Sequence, residues 1–187
     1  MSGSVLAALQ IGTFPLHGFE GETARTLDFR LSVAMLSGLL ATVAMTVVMR
    51  LQSYGYVPPY VAAGALWGQS PSDISRTAAN AVHFAAGMLA GILFEALVYG
   101  AERVREVAGF HAELLIANVT SVAQLLAAAV LVVFLYCFFS WVVFPRFGGS
   151  AYETRPETVR RQWAVSAVTY GIAFIAVLEL VYSVLPA

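Results

Sequence analysis

Three ionisable side chains stand where charge is costly. Glu95 and His83 lie in the apolar run from Asn80 to Tyr99, and Glu179 lies near the end of a second apolar run. A charge near the centre of a bilayer costs ~3 kcal/mol on insertion scales, so polar groups in such runs usually face protein or water. Two carboxylates that meet at low dielectric cannot both stay ionised cheaply, and they would share a proton or a bridging cation. Glu95 and Glu179 are therefore candidates for proton or cation handling. The competing reading lets each carboxylate reach headgroup water, or pair with Arg30 or Arg103.

His83 is expected to donate a hydrogen bond between helices. At ~100° per residue the step from His83 to Glu95 turns ~120°, which puts the two on different faces. A bis-histidine haem would need a second ligand at the same depth, and His111 belongs to the opposite interface. No cofactor is expected. Cys137 is the single cysteine, so there is no disulfide framework, no thiolate metal site and no expected metal. The chain has no H-E-x-x-H, G-x-S-x-G or P-loop spacing, and no catalytic residue is assigned.

Four apolar stretches must position these groups: 31–49, 78–100, 114–144 and 163–185. About 20 apolar residues match the ~30 Å hydrocarbon core, and within it only a helix satisfies its own backbone. Residues 1–28, interrupted by Gly3, Gly12, Pro15, Gly18 and Gly21, read as a tail ahead of a transmembrane domain at 29–187. They show no basic n-region of a signal peptide, so the first span is expected to direct insertion. Arg30 and Arg50 bracket that span, where long side chains snorkel to the two interfaces. In the connection 51–77, Pro58 and Pro59 stop a helix and Val61 to Trp67 is too short to cross. That piece is expected to lie flat at the interface beside Tyr54, Tyr56 and Tyr60. Ser70 to Arg76 supplies N-cap chemistry, with Asp73 near the positive end of the next helix dipole. Pro145 to Gly149 is expected to end the third span.

Small residues mark the packing. Ala34, Gly38 and Thr42 recur every fourth residue in the first span, and Gly87 and Gly91 do so in the second. This spacing lets helix backbones approach closely in lipid. A shift of 84 residues superposes Asp73 on Glu157, Arg76 on Arg160, Gly87 on Gly171 and Glu95 on Glu179. Two tandem hairpins, related by an axis along the membrane normal, would give that pattern.

Composition sets the class. The chain is 59% hydrophobic and 11% charged, against about half and a quarter in soluble domains. A net charge of -1 leaves no electrostatic footprint for nucleic acid. Arg50, Arg76, Arg146, Arg155, Arg160 and Arg161 fall at one side of the spans; Arg25, Arg30, Arg103 and Arg105 fall at the other. The positive-inside bias then puts 51–77 and 145–161 in the cytoplasm and both termini outside.

The segments His83-Phe-Ala-Ala-Gly87-Met-Leu-Ala-Gly91 and Ser37-Gly-Leu-Leu-Ala-Thr42-Val-Ala-Met45 resemble small four-span membrane proteins of archaea and bacteria. The resemblance covers the first hairpin and implies a four-span fold without an activity to transfer. The expected protein is an all-α bundle of four transmembrane helices in the cell membrane. It would serve as a structural or accessory subunit, alone, as a homo-oligomer or within a larger membrane complex. The alternative is a small transporter or channel using Glu95 and Glu179.

Overall fold

A computed structural model describes residues 26–109, 115–116 and 120–185. Thr26 opens the first helix, its hydroxyl accepting the Phe29 amide at 3.4 Å. This cap carries α1 over Leu27–Leu51, a turn earlier than the stretch 31–49. The connection holds a short helix, α2 (Val57–Trp67), ended by Gly68 in the left-handed conformation at φ 63°. A 3-10 turn at Pro71–Asp73 leads to α3 (Arg76–Val107). The cap of α3 is Ser75, which accepts the Ala78 amide, so Asp73 sits before the helix instead of in its first turn. The charged segment after Tyr99 continues α3 by two turns beyond 100.

The third span begins at Val122, not at 114, because Ser121 and Gln124 form a reciprocal capping box. Just ahead of it Leu115 and Ile116 pair antiparallel with Ser121 and Thr120, a two-residue ladder in an otherwise helical fold. The span runs Val122–Phe147 as α4, through Pro145. From Phe138 to Val143 it winds as a π-helix, with Phe144 N–H reaching back to the Phe139 carbonyl. The wider register accommodates a proline that cannot donate. The short helix α5 (Gly149–Glu153) turns the chain into α6 (Pro156–Val184), which starts seven residues ahead of 163 because Pro156 suits a first turn.

Four helices, α1, α3, α4 and α6, are long and apolar enough to cross a membrane. They form a ring in which α1 packs on α3, α3 on α4, α4 on α6 and α6 back on α1. Across the centre the Phe94 and Phe174 rings meet at 4.7 Å, with Tyr170, Leu131 and Leu178 buried beside them. Leu36, Leu40, Leu89, Leu126, Val130, Val168 and Ile172 point outward, the apolar exterior that a bilayer requires. The short helix α2 is packed against the bundle. It buries Pro58, Pro59, Val61, Ala63 and Gly64 against α3 and the end of α4, leaving only Trp67 and Leu66 well exposed. This 11-residue helix, ~16 Å long, packs against both α3 and the end of α4.

The seam between α1 and α3 is a backbone contact. A Cβ at Gly91 would strike the Ala34 carbonyl oxygen, one at Gly87 the Thr42 hydroxyl, and one at Gly38 the Gly87 carbonyl. Gly171 differs, since a Cβ there would meet the Val132 side chain of α4 at 2.5 Å. Gly91→Ala should therefore destabilise the bundle by about 2 kcal/mol or more, because carbonyl groups cannot yield as side chains do. Gly100→Ala, with nothing within 4 Å of the new methyl, should be neutral or stabilise by about 0.5 kcal/mol through helix propensity. Unfolding in mixed micelles compares the two.

Candidate functional site

The polar groups of the bundle gather along the α1–α3 seam. Its ladder of every-fourth positions pairs Arg30 with Glu95, Ala34 with Gly91, Gly38 and Thr42 with Gly87, and Thr46 with His83. His83 and Glu95 thus both face α1, contrary to the ~120° separation expected on a straight helix. Two ridges of i, i+4 residues slant across their helices, and crossing helices that interdigitate follow the slant.

Arg30 takes its partners on α3. Its Nε lies 2.6 Å from Glu95 Oε1, while Nη1 and Nη2 donate to the two carboxylate oxygens of Glu102 at 3.2 and 3.0 Å. The fork therefore hydrogen-bonds both oxygens of Glu102 and stands in ion-pair contact with Glu95. The Glu95 side chain is 4% exposed and that of Glu102 36%, so the cluster runs from the packed interior toward the rim. Its one guanidinium faces two carboxylates. Arg103 is engaged separately, with Glu106 and the Tyr99 hydroxyl on its own helix.

Glu179 has a different partner. It accepts from the Thr120 hydroxyl at 2.6 Å, which ties the end of α6 to the start of α4. No hydrogen bond or ion contact joins Glu95 to Glu179 among the described residues. The 84-residue correspondence also finds no support in the contacts. Gly87 meets the α1 backbone and Gly171 a valine side chain; Glu95 holds a guanidinium and Glu179 a hydroxyl. The connecting helices have 11 and 5 residues.

At the other end of the seam His83 Nε2 is 3.0 Å from Thr46 Oγ1. The Thr46 hydroxyl donates to the Thr42 carbonyl at 2.7 Å, and Thr42 donates likewise to Gly38. With the Thr46 proton committed, His83 supplies the donor through Nε2–H. Tyr170 of α6 completes the junction by donating to the Gly87 carbonyl at 2.8 Å. A cavity of about 50 Å³ adjoins His83, Thr42 and Tyr170. It has room for a water molecule or two. Beyond the spans, the Tyr56 hydroxyl donates to Asn80 Oδ1. Burial pushes that phenol up from its ordinary value, against the opposing pull of Arg50, so it remains a neutral donor.

Sequence reasoning passed over Glu102, Thr46, Thr120 and Tyr170. Two had a signal. Glu102 follows Glu95 by seven residues, about two turns, and so shares its face. Thr46 extends the Ala34, Gly38, Thr42 series by one step. Tyr170 and Thr120 act across the fold, and no local spacing announces them.

A double-mutant cycle on unfolding should couple Arg30→Gln with Glu95→Gln by about 1 to 3 kcal/mol, as contacting residues do. Glu95→Gln and Glu179→Gln should add within about 0.5 kcal/mol. Non-additivity of the second pair would bring the two carboxylates into one site.

No protein-family model, no curated protein and no solved structure matches this chain.

Proposed function

We propose that this chain is a non-catalytic, multi-pass subunit of the cell membrane, whose role is structural or accessory to a larger membrane assembly or to a second copy of itself. The observation that carries this reading is the clamp on Glu95. The carboxylate best buried for carrying a proton or cation is held by Arg30 at 2.6 Å, and that guanidinium is held in turn by Glu102. His83 and Tyr170 are likewise committed to Thr46 and Gly87, contacts that join helices. The outward faces are apolar, as a lipid-embedded subunit requires. The resemblance of the first hairpin to small four-span membrane proteins falls on this same seam.

One observation favours the transport reading. Arg30 offers one positive charge to two carboxylates, and ionisable groups within spans mark candidate proton or cation pathways. Flux separates the two. Proteoliposomes carrying the full chain should show no proton or sodium leak above empty vesicles. A flux abolished by Glu95→Gln and retained in Arg103→Gln would replace the accessory role by transport.

The orientation we propose has 51–77 and 145–161 in the cytoplasm, because Arg50, Arg76, Arg146, Arg155, Arg160 and Arg161 cluster at those span ends. In a Cys137→Ser background, a cysteine placed at the exposed Ser150, where it replaces a side chain of nearly the same size, should resist impermeant thiol reagents applied from outside. Strong labelling there in intact cells would invert the topology.

A further inference from the structure

The two ends of the bundle treat their arginines differently. Arg30 and Arg103 sit in ion pairs. At the opposite end Arg50, Arg76, Arg146, Arg155, Arg160 and Arg161 make none among the described residues. The carboxylates at that end are Asp73, Glu153 and Glu157, half as many as the arginines. Between the last turn of α1, the turn into α2, the approach to α3 and the α4–α5 junction lies an open basin of about 500 Å³. Its wall carries the Arg50 and Arg76 side chains, the Ser72 and Ser150 hydroxyls and no carboxylate.

We propose that this basin binds a phosphate group, presented either by an anionic lipid headgroup or by a free phosphate. Guanidinium forks match the oxygens of a tetrahedral oxyanion better than they match any neutral ligand, and the Ser150 hydroxyl donates to an oxygen that remains, while Ser72 donates to Asp73 Oδ1 at 3.4 Å. The same charges repel a metal cation. Arg50 is oriented before a ligand arrives, because its guanidinium stands 5.7 Å from the centre of the Tyr56 ring and Tyr56 is tied to Asn80 of α3. That lowers the ordering cost of binding. A solvated basic face would have the same residue types without the enclosure. Here three separate stretches of chain, brought together only by the fold, surround one volume in the range of small-ligand sites. The volume exceeds what a bare phosphate fills, leaving space for the glycerol or other group esterified to it.

The test uses the full chain in phosphatidylcholine nanodiscs, with phosphatidic acid added to the lipid in one arm and inorganic phosphate titrated into neutral discs in the other. Thermal midpoint and lipid retention in native mass spectrometry read the binding. Arg50→Gln and Arg76→Gln should each weaken it by about tenfold, and Arg103→Gln at the far end should leave it unchanged. A response to phosphatidic acid alone assigns a headgroup site, and a response to inorganic phosphate as well assigns a site for free phosphate. If either arginine variant fails to fold, Ser72→Asp, at an exposed position, sets a carboxylate in the basin and should produce the same loss. Binding that persists in Ser72→Asp or in the arginine variants, or no response to either probe, overturns the proposal.

Discussion

The structure depends on the closeness of two backbones. Along the α1–α3 seam the residues at the contact are Ala34, Gly38, Thr42, Gly87 and Gly91, and three of the five lack a Cβ. Between helices in lipid there is no hydrophobic gain from association, because the tails are as apolar as leucine. What remains is dispersion between closely apposed surfaces and the hydrogen bonds that closeness allows. The small residues provide the first. They also bring Arg30 within reach of Glu95 and Thr46 within reach of His83, which provides the second.

Placing polar pairs at both ends of a small-residue seam has a further consequence. A slip of α1 against α3 by one turn, ~5.4 Å, would part Arg30 from Glu95 and His83 from Thr46 together. It would leave a buried charge and a buried imidazole without partners, each costly in a medium of low polarity. The glycine contact alone tolerates sliding, since one small residue resembles the next. The polar pairs set the register. Tyr170 then fixes α6 against this pair by bonding the Gly87 carbonyl, so three helices meet at one backbone oxygen.

The fourth helix, α4, is joined more loosely and through side chains. Val132 fills the space over Gly171, Trp163 donates to the Leu135 carbonyl at 3.3 Å, and the π-helical segment offers Phe139 to Trp163 at a ring separation of 4.7 Å. Aromatic packing tolerates small displacements that a backbone contact does not. The bundle therefore combines one rigid seam with a more adaptable flank, and α2 lies where that flank meets α3.

Class and span number were legible from composition and run length alone, because a chain with 59% hydrophobic residues has few ways to satisfy its backbone except as membrane helices. The span ends were less legible. Local capping by Thr26, Ser75 and Ser121 moved three starts, and the π register carried α4 past Pro145. The small-residue spacing of both seam helices could be read directly, whereas the partner of each helix could not. Glu95 and Glu179 look equivalent as letters in apolar runs, each some turns short of its helix end. Only the tertiary structure decided that one meets a guanidinium and the other a threonine hydroxyl, because the partners, Arg30 and Thr120, lie 65 and 59 residues away in the chain. The same holds for His83 and Glu95. Angular bookkeeping on an isolated straight helix separates them, and the crossing of two slanted ridges, a property of the pair and not of either sequence, brings them onto one line.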